Sequence, residues 1–286
     1  MTELLAPAGN FDALKAAVEA GANAVYLAGE NFGARAYADN FSRENLIRAV
    51  EFAHLRNVSV HVTTNTILND EEILNFTDYI KFLRRANVDA LLVQDLGAAK
   101  IIKNIAPEIP LHASTQMTVH NLEGILMLAE LGFSRAVLSR ELSLAEIENF
   151  SKNSPIETEI FIHGALCLCY SGQCLMSSLI GGRSGNRGRC AQPCRLPYVL
   201  VDENGEEILK TAGEYLLSPK DLNTLELLPK IISAGVTSLK IEGRMKRAEY
   251  VATVVKIYRD ALDKNFSTVE DNKKLAQIFN RDFTTA

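Results

Sequence analysis

One joint recurs along this chain and limits what the chain can fold into. Residues Ala20–Leu27, Ala86–Val93, Leu131–Leu138 and Ala234–Ile241 share a single design. A helical pattern stops at a Gly or Asn, and a short turn leads straight into an apolar run. A helix-stopping Gly or Asn takes the left-handed conformation at little cost. The apolar runs are continuous rather than alternating, as suits strands buried on both faces of a parallel sheet. They include Ala24–Leu27, Val58–Val62, Ala90–Val93, Ile109–Ala113, Ala136–Leu138, Ile160–Ile162 and Ser238–Ile241. With Leu4 and Leu5 they make eight strands.

Between the strands, apolar residues recur at helical spacing. Leu46, Ile47, Val50 and Ala53 form one such face, and Ile73, Phe76, Ile80 and Leu83 a second. Val251, Val254, Val255, Tyr258 and Leu262 form a third. Asn69 with Glu72, and Ser143 with Glu146, have the spacing of reciprocal helix-start caps. Eight strands alternating with helices predict a (β/α)8 TIM-like barrel, and no glycine-rich dinucleotide or P-loop fingerprint supports an open sheet.

Barrels carry their chemistry where the strands end. Polar residues gather at those ends here: His61, Thr63, Asn65, Gln94, Asp95, His112, Ser114, Gln116, Ser139, Arg140, Glu141, His163, Lys240, Glu242 and Arg244. Glu242, Arg140, Lys240 and His163 are the expected catalytic set.

Residues 164–218 break the repeat. This stretch is rich in Gly and Arg, and reads as short strands around a turn at Glu203, Asn204 and Gly205. It holds all five cysteines of the chain. It is expected to be a functional insertion at the C-terminal rim of a barrel spanning residues 1–266, with a helical tail over 267–286.

The thiols sit at Cys167, Cys169, Cys174, Cys190 and Cys194. An odd number in a chain without a secretory leader argues against a disulfide framework. Zinc favours paired knuckles. Iron–sulfur clusters take four thiolates at irregular spacing, and Cys167, Cys174, Cys190 and Cys194 would serve, leaving Cys169 spare. Buried, metal-free thiols are the plainer alternative. Arg183, Arg187, Arg189 and Arg195 crowd the same insertion, with glycines that let backbone N–H groups approach a ligand. Guanidinium forks match carboxylate or phosphate, so these four are the expected anion site.

Thirty basic residues against thirty-five acidic ones give a net charge of −5. That excludes a globally basic nucleic-acid binder but not a local basic patch. No apolar run approaches the ~20 residues that span a bilayer. A cytoplasmic protein is expected, with neither membrane nor DNA as partner.

Residues 159–177 resemble the signature of the collagenase-like U32 peptidase family, through Glu159, Phe161, Gly164, Ala165, Leu166, Cys167, Gly172, Cys174, Met176 and Ser177. Residues 187–195 resemble the family's second cysteine block, and 5–9 and 240–246 match its ends. The resemblance implies one of two activities. Some members are described as peptidases of unknown catalytic type. Others hydroxylate a tRNA wobble uridine, an rRNA cytidine or the ubiquinone ring, and hold an iron–sulfur cluster through these cysteines. It thus implies a 4Fe–4S cluster on Cys167, Cys174, Cys190 and Cys194, a link to prephenate in RNA hydroxylation, and tRNA or rRNA as partner. A second family subunit is also implied, and a non-catalytic partner role stays open. Relatives can carry a cysteine after the motif at Lys220–Leu222, where this chain has Asn223, so the fourth ligand lies between Cys194 and Cys169. Many relatives continue into a C-terminal β domain, which this chain, ending at Ala286, is expected to lack.

Overall fold

The computed structural model describes residues 2–208 and 215–285. Its helices start where capping side chains place them. Asn10 accepts from the Ala13 N–H, Asp95 from Ala98, and Asn121 from Gly124. The boxes at Asn69/Glu72 and Ser143/Glu146 both form. The four joints stop as anticipated, at Gly21, Asn87, Gly132 and Gly235, all with positive φ. A fifth joint escaped notice: Asn57, at φ 56°, ends a helix just before the next strand. Its flanking Arg56 obscures the pattern.

The strands are β1 (Glu3–Pro7), β2 (Ala24–Leu27), β3 (Ser59–Thr64), β4 (Ala90–Val93), β5 (Leu111–Ala113), β6 (Arg135–Val137), β7 (Glu157–Ala165), β8 (Asp221–Asn223), β9 (Ser238–Ile241) and β10 (Phe283–Thr284). From β1 to β7 each pairs in parallel with the next. β9 pairs with both β7 and β1 and closes an eight-stranded parallel barrel. Strand β8 runs antiparallel to the end of β7, and β10 lies beside β8.

Helices α1 (Phe11–Glu19), α2 (Arg43–His54), α3 (Ile73–Arg85), α4 (Leu96–Ile105), α5 (Leu122–Glu130) and α6 (Leu144–Asn153) alternate with the first seven strands. α7 (Met176–Gly181) lies in the insertion, α8 (Leu228–Ser233) precedes β9, and α9 (Ala248–Lys264) follows it. The tail holds α10 (Val269–Gln277) and then β10, so it is not wholly helical. The core includes Leu4, Leu14, Leu27, Leu46, Phe76, Ile80 and Tyr258, none of them measurably exposed. Ile47 is the exception on its expected face, 41% exposed. Among the described residues no helix is long and apolar enough to cross a membrane.

A layer of the barrel is ionic. Glu159, fully buried, accepts from Lys240 Nζ at 2.7 Å and Arg135 at 3.1 Å. Arg135 also meets Glu3 and Glu157. His61 and His112 pack edge to face with ring centres 4.9 Å apart, both buried. Burial would raise the Glu159 carboxyl. Lys240 and Arg135 outweigh it and hold the group at about 2.

Two predictions follow from this interior. Glu159→Ala leaves buried Lys240 without its carboxylate and removes one of the three that meet Arg135, and should cost about 3–5 kcal/mol in a urea titration. The second concerns acid. Burial holds His61 and His112 below the ordinary imidazole value and His163 at about 3, so the folded chain declines protons that the unfolded chain accepts. Stability should therefore fall as pH drops below about 6.5, and His163→Phe should shallow that fall in melts across pH.

Candidate active site at the barrel mouth

Two connected hollows occupy the C-terminal end of the barrel. The lower, about 70 Å³, is lined by Tyr26, Thr63, Asn65, Ser114, Phe161, Lys240 and Arg244, among others. The upper, about 360 Å³, opens beneath the insertion. Both share Ala34, Arg35, Gln116, Arg140 and Glu242. Of the expected catalytic set, Glu242, Arg140 and Lys240 therefore meet in one cleft.

Glu242 lies at the end of β9, with its carboxylate 3.4 Å from Arg35. Burial would raise its carboxyl, but Arg35, Arg140, Lys240 and Arg244 together keep it below the ordinary range. It is therefore a carboxylate at neutral pH. Lys240 stands lower, paired to Glu159, with its ammonium 4.5 Å from the Tyr26 ring centre. Arg140 donates to the Ala165 carbonyl at 3.1 Å and lies over Phe161. Arg244 is anchored by Thr63 and Asn40. The Nε atoms of Arg140 and Arg244 and Oε1 of Gln116 are buried without a partner. Orphaned buried polar atoms in a cleft call for a ligand.

His163 is placed elsewhere, which corrects its expected catalytic role. It does not line the cleft. Its ring packs against Tyr250, Tyr258 and Phe283, with Nδ1 3.3 Å from the Tyr258 hydroxyl. Its neighbour Gly164 has φ +103° within β7, and the register with β9 is irregular between Phe161 and His163. Other rim residues act as ties. Asp95 caps α4, Asn65 receives the Ala34 N–H, and Glu141 accepts from both the Ser171 N–H and its hydroxyl. His61 and His112 lie buried rather than on the rim.

The insertion is pressed onto this rim. A Cβ at Gly172 would collide with the Gln116 carbonyl, and one at Gly188 with the Gly33 carbonyl. Arg187 grips Glu72 at 2.6 and 3.0 Å and the Ile67 carbonyl at 2.7 Å. Arg195 donates to Ser218, Pro219 and Leu166, all at 2.6 Å. Two of the four arginines expected to bind anions thus spend their donors holding the loop, a correction that follows from geometry invisible in a linear pattern. Arg183 and Arg189 are exposed.

All five thiols are unbridged. Cys167, Cys174, Cys190 and Cys194 line the upper cleft; Cys169 does not. Among the described residues no three His, Cys, Asp or Glu side chains are close enough to share one metal ion. The Ser177 hydroxyl and the Gln192 N–H both point at Cys190 Sγ, at 3.7 and 3.4 Å. Burial pushes the Cys194 thiol up, with Cys167, Cys190 and Cys174 adding to the shift and Arg195 opposing it.

Three further cations were not foreseen. Arg35 comes from the β2–α2 loop, on the catalytic side, where the barrel rule could have found it. Lys246 and Arg281 also line the cleft, and Arg281 arrives from the tail, paired to Asp221. Burial, aided by Arg281, lowers Lys246 to about 8. Arg35, Arg140, Arg195, Lys246 and Arg281 line the upper cleft; Glu242 pairs with Arg35 and Asp221 with Arg281, which leaves positive charge in excess.

This is a parallel barrel enzyme scaffold with a cysteine-bearing insertion over a cationic mouth. The chain belongs to peptidase family U32, whose model matches residues 9–286. It is 41% identical to tRNA hydroxylation protein P1 of Bacillus subtilis, over 99% of this chain and 70% of that protein. It is 42% identical to the 23S rRNA 5-hydroxycytidine C2501 synthase of Escherichia coli, over 96% of this chain but only 41% of that protein. A solved U32 peptidase shares the fold, with TM-score 0.57 at 12% identity, over 84% of this chain and 92% of that one.

The exposed thiols Cys167 and Cys190 should be alkylated by iodoacetamide in metal-free protein before the half-buried Cys194, whose thiol is raised. Peptide mass spectrometry of a timed reaction reads that order.

Proposed function

We propose that this chain hydroxylates an unpaired RNA base, a tRNA wobble uridine or an rRNA cytidine, in a prephenate-linked reaction that depends on an iron–sulfur cluster. The observation that carries the reading is the cleft itself, where five cations, two of them paired to carboxylates, stand beside four free thiols. RNA phosphates favour such a local excess of positive charge on a chain that is acidic overall. The names of the Bacillus and Escherichia relatives support RNA as the substrate.

The donor set supports a cluster. Cys167, Cys174, Cys190 and Cys194 would hold it, with Cys169 outside the cleft lining. Thiolates that each bind a different iron need not crowd around one point, in keeping with the lack of a single-ion site among the described residues. The two donors aimed at Cys190 Sγ would stabilise a thiolate there. When bound, the cluster would supply one-electron chemistry beside the substrate.

The chain's own residues would do the rest. The free Nε donors of Arg140 and Arg244 suit the two carboxylates of prephenate. Glu242, ionised by its cationic neighbours, would accept a proton at its carboxylate. Lys240, fixed by Glu159, would keep a positive charge beneath the substrate. Exposed Leu175, Leu179, Ile180, Leu196 and Val199 on the insertion support a second family subunit. Such RNA substrates place the work in the cytoplasm.

Mass spectrometry of nucleosides from bulk tRNA and rRNA tests the reading. A deletion strain should lack one hydroxylated pyrimidine. The wild-type gene should restore it, while Cys190→Ser and Glu242→Gln should not. An unchanged nucleoside profile in the deletion strain would remove RNA hydroxylation as the function.

A further inference from the structure

We infer that Tyr37 is a stacking platform for an unpaired nucleobase at the cleft entrance, with Arg183 at its side; this rests on RNA being the substrate. Tyr37 belongs to the β2–α2 loop and Arg183 to the insertion, 146 positions apart in the chain. The fold brings them together, with the guanidinium carbon 5.8 Å from the ring centre. Tyr37 lines the upper cleft yet remains 56% exposed. A phenol ring left uncovered at the mouth of a cationic cleft has a clear chemical complement. Its face takes any base, and its cationic surroundings take the phosphates on either side.

The loop that carries the ring is tied to its surroundings at several points. Asn65 receives the Ala34 N–H, and the Ala36 N–H donates to the Gly188 carbonyl at 3.0 Å. Arg35 pairs with Glu242. Asn40 donates to the Arg35 carbonyl and accepts from Arg244. Asp39 accepts from Asn10. Every one of these ties flanks Tyr37 and none uses its side chain. The backbone on both sides of the ring is therefore tied down, and beyond the Arg183 guanidinium over it the ring stays open to a stacking partner.

The groups deeper in the cleft fit the same ligand. Gln116 Oε1 and Arg140 Nε are buried without partners. With Arg140 Nε taken by a carboxylate, Gln116 Oε1 is the acceptor left for the edge of a base that passes the ring, as enzymes that modify bases take them out of the stack. The cleft volume, about 360 Å³, is in the range of small-ligand sites. Neither the signature around Cys167 nor the arginine cluster includes Tyr37. Its place at the entrance follows from the docking of Gly188 against the loop.

The test is fluorescence anisotropy of the full chain with a fluorescein-labelled RNA hairpin carrying an all-pyrimidine loop, compared with a fully paired duplex. Wild type should prefer the hairpin. Tyr37→Ala should weaken hairpin binding about five- to a hundredfold, leave duplex binding unchanged and leave the salt slope unchanged, because no charge is lost. Tyr37→Phe should bind like wild type. Arg183→Ala should weaken binding and lower the salt slope. Equal hairpin affinity for wild type and Tyr37→Ala would overturn the platform while RNA binding stands. A wild-type chain that shows no preference for the hairpin, or that prefers a labelled acidic peptide, would overturn the RNA reading as well. Thermal melts of each variant confirm folding, since the side chain is exposed.

Discussion

The cleft exists because two glycines let one backbone lie directly on another. At Gly172 and Gly188 the insertion touches the rim where no side chain has room. Both residues adopt positive φ, which turns the chain back over the mouth. These contacts place the cysteine blocks above Glu242, with Cys167 and Cys190 still open to solvent. Arg187 on Glu72 and Glu141 on Ser171 hold the same geometry at two more points. Without the close approach, the thiols, arginines and barrel mouth would be three separate features.

Charge is then apportioned in layers. Deep in the barrel, Glu159 balances Lys240 and Arg135, so those cations are already satisfied. Higher up, Glu242 faces more positive charge than it can neutralise, and two guanidinium Nε atoms remain without a partner. The lower layer holds the barrel together, and the upper layer leaves a charge excess for an incoming anion. The separation explains how an acidic chain can present a basic site.

The barrel was legible because its evidence is local. A Gly or Asn stop followed by a buried strand is written in eight consecutive residues, and all eight strands lie where the apolar runs put them. Glu242, Arg140 and Lys240 were also within reach, since position at a strand end is enough to place a side chain near the mouth. His163 failed for a specific reason. It sits near the end of β7, where the strand's pairing passes from β9 to antiparallel β8, and its ring faces the aromatic groups of α9 and β10. Arg187 and Arg195 failed because their partners lie more than twenty residues away in sequence, at Glu72 and at Leu166 and Ser218. Arg281 carried no signal at all; only the pairing of β10 with β8 brings it to the cleft.

The seat of the insertion also joins distant parts of the chain. Its anchors are Gly33, Ile67, Glu72, Gln116 and Glu141, all made before the cysteines emerge from a ribosome. Yet the ring of strands that fixes those anchors closes only with β9, which is made afterwards. The seat therefore draws on both sides of the chain: residues before the cysteine blocks supply its contacts, and a strand after them closes the ring on which it rests.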